Sequence, residues 1–183
     1  MKSVLISIHP KWCELIASGK KTIEVRKTAP KEVPFKAYIY ETYDKKYVDI
    51  GICWGNGKCF EHGCEKVIGE FVCEMIEEIQ RCVKPLSNFP YDIEVGSLVD
   101  SCLTEQEIYD YLNGGLGYGW HISDLKIYDK PRDLREFRKG GFMTEQQWLA
   151  ALYHNTHCHY EEWDKRYEIT RPPKSWCYVE ELL

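Results

Sequence analysis

The sequence lacks any hydrophobic run that could cross a membrane, and its first residues do not resemble a secretion signal. Its 183 residues contain no apolar stretch near the ~20 residues that a membrane-spanning helix needs. Residues 1–10 combine a short apolar run with no small-residue cleavage site, so they are better interpreted as a first strand than as a signal peptide. We therefore expect a cytoplasmic protein that does not span a membrane.

A regular cysteine framework is also missing. The nine cysteines are odd in number and irregularly spaced, which favours reduced thiols over disulfides. Soft metal ligands gather in one polar segment, at Cys59, His62 and Cys64. Zinc needs four such ligands in a tetrahedron, and this spacing matches no standard finger or ribbon. We therefore expect no cofactor, with zinc at these three residues as the weaker alternative.

Three common catalytic signatures are absent. The chain has no phosphate-binding G-x-x-x-x-G-K-[ST] motif and no G-x-S-x-G nucleophile elbow, and its glycine-rich stretch at 114–119 lacks the spacing of a dinucleotide site. The net charge of −5 argues against strong non-specific binding to nucleic acid. Residues 1–36, however, hold eight Lys and Arg against three Asp and Glu, so a local basic face is compatible with the acidic total.

The pattern of apolar residues predicts one α+β domain, mainly β, over residues 1–183. The predicted strands are 4–8, 22–26, 36–41, 66–77, 118–128 and 175–180. Helices are predicted from residue 11 to Gly19, from a capping box at Thr104 to residue 112, at 134–137 and at 144–153. Segments 84–101 and 129–132 are interpreted as irregular structure and a turn, and 44–64 and 138–168 as insertions.

The chain is organised around residues 18–26, where a helix ends and a strand begins. Gly19 can adopt the left-handed conformation that a helix end requires. After it, polar residues alternate with Ile23 and Val25, which is typical of a half-buried strand. The polar side chains could hold a phosphate and a base edge, or could form an ordinary solvated face. The candidate ligand-binding residues of this motif are Lys20, Lys21, Thr22, Glu24 and Arg26.

Aromatic residues make up 14% of the chain, which is more than a core alone usually requires, and Tyr and Trp suit half-exposed surfaces that stack flat ligands. The candidates for a stacking platform are Trp120, His121, Trp176 and Tyr178. Strand neighbours point to opposite faces, so Trp120 and His121 cannot both face one cleft. Trp176 and Tyr178 share a face, which can equally be the core face. Core and platform therefore both remain open for these residues.

Residues 4–8 followed by 11–26 resemble the opening of an ASCH domain, a branch of the PUA-like superfamily. Residues 67–71 are similar to the central strand of that family, and 118–125 and 170–180 resemble a subgroup of bacterial and prophage-borne proteins. This resemblance implies a PUA-like, partly open β-barrel with two or three flanking helices. It also implies a cleft between the first helix and the following strand that binds RNA or a modified nucleoside or nucleotide.

Some members of the family hydrolyse the acetyl amide of modified cytidine with a lysine, a threonine and a glutamate. Lys21 matches the lysine of that set, but Glu24 stands at the position of the nucleophilic threonine. A carboxylate is a poor substitute for a hydroxyl nucleophile in amide cleavage. The resemblance therefore favours a binding protein. The alternatives are a hydrolase of a nucleoside amide or of RNA, with Lys21 and Glu24 as catalytic residues, and a protein-interaction module.

Overall fold

The computed structural model describes residues 1–44, 65–81, 91–92, 95–140 and 167–182. The helices are α1 (Pro10–Ala17), α2 (Val95–Ser101), α3 (Glu105–Leu112) and a short 3-10 turn (Leu134–Glu136). The strands are β1 (Lys2–Ile8), β2 (Ile23–Arg26), β3 (Phe35–Glu41), β4 (Val67–Cys73), β5 (Ile76–Arg81), β6 (Tyr91–Asp92), β7 (Gly117–His121), β8 (Ser123–Arg132) and β9 (Trp176–Val179). The predicted insertions lie mostly outside these residues, and the predicted helix at 144–153 lies wholly outside them. No helix in the described ranges is long and apolar enough to cross a membrane.

The described strands form two sheets that do not close on each other. One has the order β8-β4-β3-β1-β9 and the other β2-β7-β5-β6. Strands β1 and β3 are parallel, and the other paired strands are antiparallel. The prediction of a mainly β, partly open barrel is confirmed.

Two predicted long strands are wrong, because each is divided at a corner between the sheets. In the stretch 66–77, β4 ends at Cys73 in the first sheet and β5 begins at Ile76 in the second. In the stretch 118–128, Ile122 separates β7 from β8. The apolar alternation continues across both corners because residues of both sheets pack into the same core. The pairing of β4 with β8 shifts register beside Gly69.

The structure also differs from the predictions at the end of β8 and in the segment before α3. The predicted turn at 129–132 is wrong because β8 continues to Arg132, and Pro131 is tolerated there since β8 is an edge strand. The predicted irregular segment 84–101 contains α2. The capping box at Thr104 is confirmed, and α3 ends at Asn113 in the left-handed conformation.

Among the described residues the core has three parts, and the third positions the site. The main cluster joins α1 to both sheets, with Phe35 and Trp120 among its largest members. A second covers the other face of the five-stranded sheet with Leu134, Phe137 and Ile169. In the third, Val25 of β2 packs with residues of β5 and α3. This contact holds α3 beside β2 and leaves a space between them.

Candidate ligand-binding site

A cavity with a volume of about 580 Å³ opens where α1, β2 and α3 approach each other. Helix α1 contributes Trp12, and α3 contributes Glu107 and Tyr111. The other walls are formed by His9, which connects β1 to α1, and by residues 172–174 near the C-terminal end. The polar floor comes from the chain that follows α1, with the charged side chains Lys21, Glu24 and Arg26.

The end of α1 sets the direction of that chain. Gly19 has a φ of 72°, and the backbone N–H groups of Lys20 and Lys21 both donate to the carbonyl of Leu15. This closes the helix as predicted and sends the chain into β2, which pairs only with β7 in the described sheet. Alternation along β2 then turns Val25 towards the third core cluster while Glu24 and Arg26 contact each other.

Lys21 is buried, and its ammonium group is held by the protein itself. Its Nζ donates to the carbonyl oxygens of Ile23 at 2.8 Å and Ser101 at 2.6 Å. It lies 3.3 Å from Oε2 of Glu24. These three acceptors match the three N–H groups of an ammonium. Lys21 therefore fastens the end of α2 to β2 and orients Glu24.

Arg26 is buried beside Glu24 but is incompletely paired. Its Nη2 donates to the carbonyl of Ser7 at 2.7 Å and lies 2.9 Å from Oε1 of Glu24. Its Nε is buried and has no hydrogen-bond partner among the described residues. An unpaired buried donor is costly, and few remain in native proteins. Because Arg26 lines the cavity, an acceptor on a bound ligand could satisfy this group.

The structure brings together only part of the predicted motif. Lys21, Glu24 and Arg26 line the cavity, whereas Lys20 and Thr22 are exposed and are not among its lining residues. The Thr22 backbone instead pairs with Asp100 and Ile122. The motif therefore contributes a row of three charges rather than five polar groups.

The four predicted platform residues lie away from the cavity lining. Trp120 is fully buried, and its ring contacts those of Phe35 and Trp176 edge-on, with centroids 5.1 and 5.7 Å apart. Trp176 also contacts Tyr178 edge-on and donates from Nε1 to Oγ1 of Thr28 at 3.0 Å. These contacts join β9 to the segment after β2 and stabilise the fold.

His121, the fourth platform candidate, lies 3.7 Å from the Glu77 carboxylate, measured from its Nε2 to Oε2 of Glu77. The neighbouring Cys73 is buried, and burial raises the pKa of its thiol to about 11. A thiol with that pKa remains protonated at neutral pH and is a weak nucleophile. This corner of the sheets therefore shows no second reactive centre.

Two aromatic residues of the cavity were missed by the sequence analysis. Trp12 lies in α1, where it is half-buried and lines the cavity. Tyr111 is exposed on α3, whose buried residues are Ile108 and Leu112. An aromatic side chain on the polar face of an amphipathic helix was the signal that could have identified it.

One ionisable pair at the cavity also escaped prediction. His9 lines the cavity, and its Nε2 lies 2.7 Å from Oδ2 of Asp44. Across the described ranges, no three His, Cys, Asp or Glu side chains converge in a way that could hold a metal ion. The predicted zinc candidates Cys59, His62 and Cys64 lie outside those ranges.

Comparison with known proteins supports the ASCH resemblance. The sequence model of the ASCH domain family matches residues 6–87, which include the charged row of the cavity. The structure is similar to that of ASCH from Zymomonas mobilis, with a TM-score of 0.53 and 20% identity, covering 98% of this chain and 89% of that one. No curated protein matches the sequence.

Two variants of the Zymomonas mobilis protein are equally similar. For a tyrosine-to-phenylalanine variant the TM-score is 0.53 at 20% identity, with 99% of this chain and 92% of that chain covered. For a serine-to-alanine variant the TM-score is 0.52 at 20% identity, with 98% and 89% covered. At this level of identity the likeness shows a shared fold. The predicted bacterial and prophage subgroup remains a prediction.

Proposed function

We propose that this protein binds RNA or a modified nucleoside or nucleotide in the cavity between α1, β2 and α3. The observation that carries the proposal is a buried row of charges on the cavity floor that includes one unpaired donor, Nε of Arg26. The match to the ASCH family model over residues 6–87 supports the same ligand class, since the resemblance to that family implies RNA or a related ligand.

The charged row suits the edge of a nucleobase. The Glu24 carboxylate can accept further hydrogen bonds, because each of its oxygens has two acceptor sites. An exocyclic amine or a ring N–H of a base is a suitable donor to it. The Nε–H of Arg26 can donate to a carbonyl or phosphate oxygen of the same ligand. Lys21 keeps Glu24 in position, with its own donors engaged by the protein.

Aromatic walls complement this floor. Trp12 and Tyr111 line the cavity from two different helices. Stacking on such rings contributes roughly 1–3 kcal/mol per base and is tolerant of base identity. We therefore assign to these two residues the stacking role that the sequence had suggested for Trp120, His121, Trp176 and Tyr178.

A hydrolase remains the second candidate on the family resemblance, but the geometry favours it less. The three donors of Lys21 are engaged by acceptors of the protein. Glu24 occupies the position of the expected threonine, and Thr22 is not among the lining residues. Ser7 also lines the cavity, but its hydroxyl donates to the carbonyl of Pro173 at 2.7 Å and is therefore engaged by the protein. The interaction-module alternative depends on residues 138–168, most of which lie outside the described ranges.

Calorimetric titration of the full chain with short single-stranded RNAs and a panel of modified nucleosides tests the proposal. Arg26→Lys keeps the positive charge but removes Nε, so affinity should fall about tenfold, or about 1.4 kcal/mol. Tyr111→Ala should weaken binding, whereas Tyr109→Ala, a change at another exposed tyrosine of α3 outside the cavity lining, should not. If no probe binds, or if both tyrosine variants behave alike, the proposed site is wrong.

The same samples distinguish binding from catalysis. Incubation with acetylated cytidine and with labelled RNA, followed by chromatography, should return both substrates intact. Turnover that disappears in Glu24→Gln while the variant still binds RNA would favour the hydrolase.

A further inference from the structure

Each of the two aromatic residues of the cavity has an exposed lysine beside its ring, and Trp12 also has the buried Lys21, whose Nζ lies 5.3 Å from the ring centroid. Nζ of Lys11 lies over the Trp12 ring, 4.1 Å from its centroid, and Nζ of Lys27 lies over the Tyr111 ring at 5.1 Å. Lys174 lines a third side of the cavity. We call Lys11, Lys27 and Lys174 the rim lysines. All three are exposed, in contrast to the buried Lys21.

The contacts of the rim lysines are replaceable. The other contact of Lys11 is to Oε1 of Glu107 at 3.4 Å, between side chains that are 48% and 41% exposed. Exposed ion pairs of this kind are weak and are screened by salt. Glu107 is independently fixed, because its other oxygen accepts from the backbone N–H of Thr104 at 2.8 Å. Lys11 can therefore leave its present partner without disturbing α3.

Positive charge is in excess at the mouth of the cavity. On the cavity floor, the negative charge of Glu24 neutralises one of the two positive charges beside it, those of Lys21 and Arg26. At the mouth there are three rim lysines, and Lys11 contacts the carboxylate of Glu107. The carboxylate of Asp44 is paired with His9. A ligand with negative charge outside its base would meet this surplus, whereas an uncharged nucleoside would not.

Given the proposed function, on which this step rests, we propose that the rim lysines bind the backbone phosphates on either side of a stacked base. The ligand is then a single-stranded RNA rather than a free nucleoside. In the free protein, the ammonium groups of Lys11 and Lys27 lie over Trp12 and Tyr111, where a base would stack. When the base stacks on a ring, the lysine moves from that ring to a phosphate of the same strand.

Nucleoside, nucleotide and strand should be compared directly. The probes are adenosine, cytidine and uridine, their 5′-monophosphates, and the homopentamers rA5, rC5 and rU5, titrated by calorimetry between 50 and about 300 mM salt, a range in which counterion release is measurable. The best pentamer should bind at least tenfold more tightly than its nucleoside. Three phosphate contacts on a single strand predict a slope of about −2 for log affinity against log salt.

A triple variant, Lys11→Ala, Lys27→Ala and Lys174→Ala, should remove most of that slope without weakening nucleoside binding, because a stacked base displaces Lys11 and Lys27 from the rings in any case. Its matched control is Lys31→Ala, Lys126→Ala and Lys130→Ala, which removes the same charge from exposed positions outside the cavity lining and should keep the slope. Circular dichroism checks that both variants fold.

The outcomes separate this inference from the proposed function. A nucleoside that binds as tightly as its pentamer, or a slope that the rim variant and the control variant change equally, overturns the role of the rim lysines and leaves the cavity as the binding site. No binding by any of the nine probes overturns the role of the rim lysines, and it overturns the proposed function as well when the panel of modified nucleosides also fails to bind.

Discussion

Two clusters of charge in this protein use similar groups with different results. In the cavity row, the Glu24 carboxylate lies between Lys21 and Arg26, and all three side chains are nearly inaccessible. In the outer cluster, Lys36 lies 2.8 Å from Glu181 and 3.9 Å from Glu70, and these side chains are partly exposed. Both clusters bridge cations and carboxylates, and the first lines the cavity between α1, β2 and α3.

The outer cluster is complete within the protein. The hydroxyl of Tyr128 donates to Glu70 at 2.5 Å, and burial together with this carboxylate raises the pKa of Tyr128. The H-bond from Lys36 in turn lowers the pKa of Glu181. The cavity row, by contrast, has a buried donor left over at Nε of Arg26. A buried charged row with an unused donor points to a ligand, whereas a partly exposed, self-satisfied cluster is explained by structure alone.

The largest expected effect is on the free energy of unfolding, when one lysine of each cluster is replaced by methionine. Lys21→Met should lower the free energy of unfolding by about 3 kcal/mol, because it leaves the Ser101 and Ile23 carbonyls and one side of Glu24 without a donor. Lys36→Met should cost less than about 1 kcal/mol, since water can replace its partners. Urea denaturation followed by circular dichroism measures both.

Equal losses for the two variants would remove the distinction between the clusters. The control is Lys20→Met, next to Lys21 in sequence but exposed and outside the cavity lining. It should change the free energy of unfolding by no more than about 0.5 kcal/mol.

The sequence was informative wherever a local rule decides the structure. The turn at Gly19 and the capping box at Thr104 follow from conformational preference, and alternation along β2 places Glu24 and Arg26 on one face. Alternation does not place Lys21 beside them, because its side chain reaches Glu24 from the turn before β2. The division of the strands between two sheets could not be predicted from these local rules, because the apolar pattern continues through the corners at 74–75 and at Ile122.

The walls of the cavity were harder to predict for a physical reason. Tyr111 and Glu24 are far apart in sequence. They line the same cavity because Val25 packs against Ile108 and Leu112. Trp120 and Trp176 looked equally suitable for stacking, but mutual edge-on packing places them with the core. Composition alone cannot distinguish an aromatic that stacks a ligand from one that fills the interior.

A smaller effect is expected in the outer cluster from Tyr128→Phe. Removing the hydroxyl leaves one oxygen of Glu70 without its donor, and this should lower the free energy of unfolding by about 1 kcal/mol. Affinity for RNA should not change, because neither residue lines the cavity. Denaturation and titration of the same sample test both statements, and a loss of RNA affinity would show that the two clusters are coupled.

The smallest effect concerns Glu107, a carboxylate that lies at the cavity but is exposed like those of the outer cluster. Its hydrogen bond from the Thr104 backbone lowers its pKa below the usual 4.5. A lowered pKa stabilises the folded state at pH values above 4.5, and this contribution is lost as the pH falls through the folded-state pKa. Because the side chain is well exposed and screened, the contribution should be only a few tenths of a kcal/mol.

Glu107→Gln can keep the capping-box hydrogen bond while removing the titrating group. It should therefore flatten the decline in stability between pH 5 and pH 3 slightly relative to the parent protein, as measured by urea denaturation at half-unit pH steps. Glu105→Gln removes the same charge from the first turn of α3 without touching the capping box, so its decline should match that of the parent protein. If the two variants are indistinguishable, Glu107 behaves as an ordinary surface carboxylate.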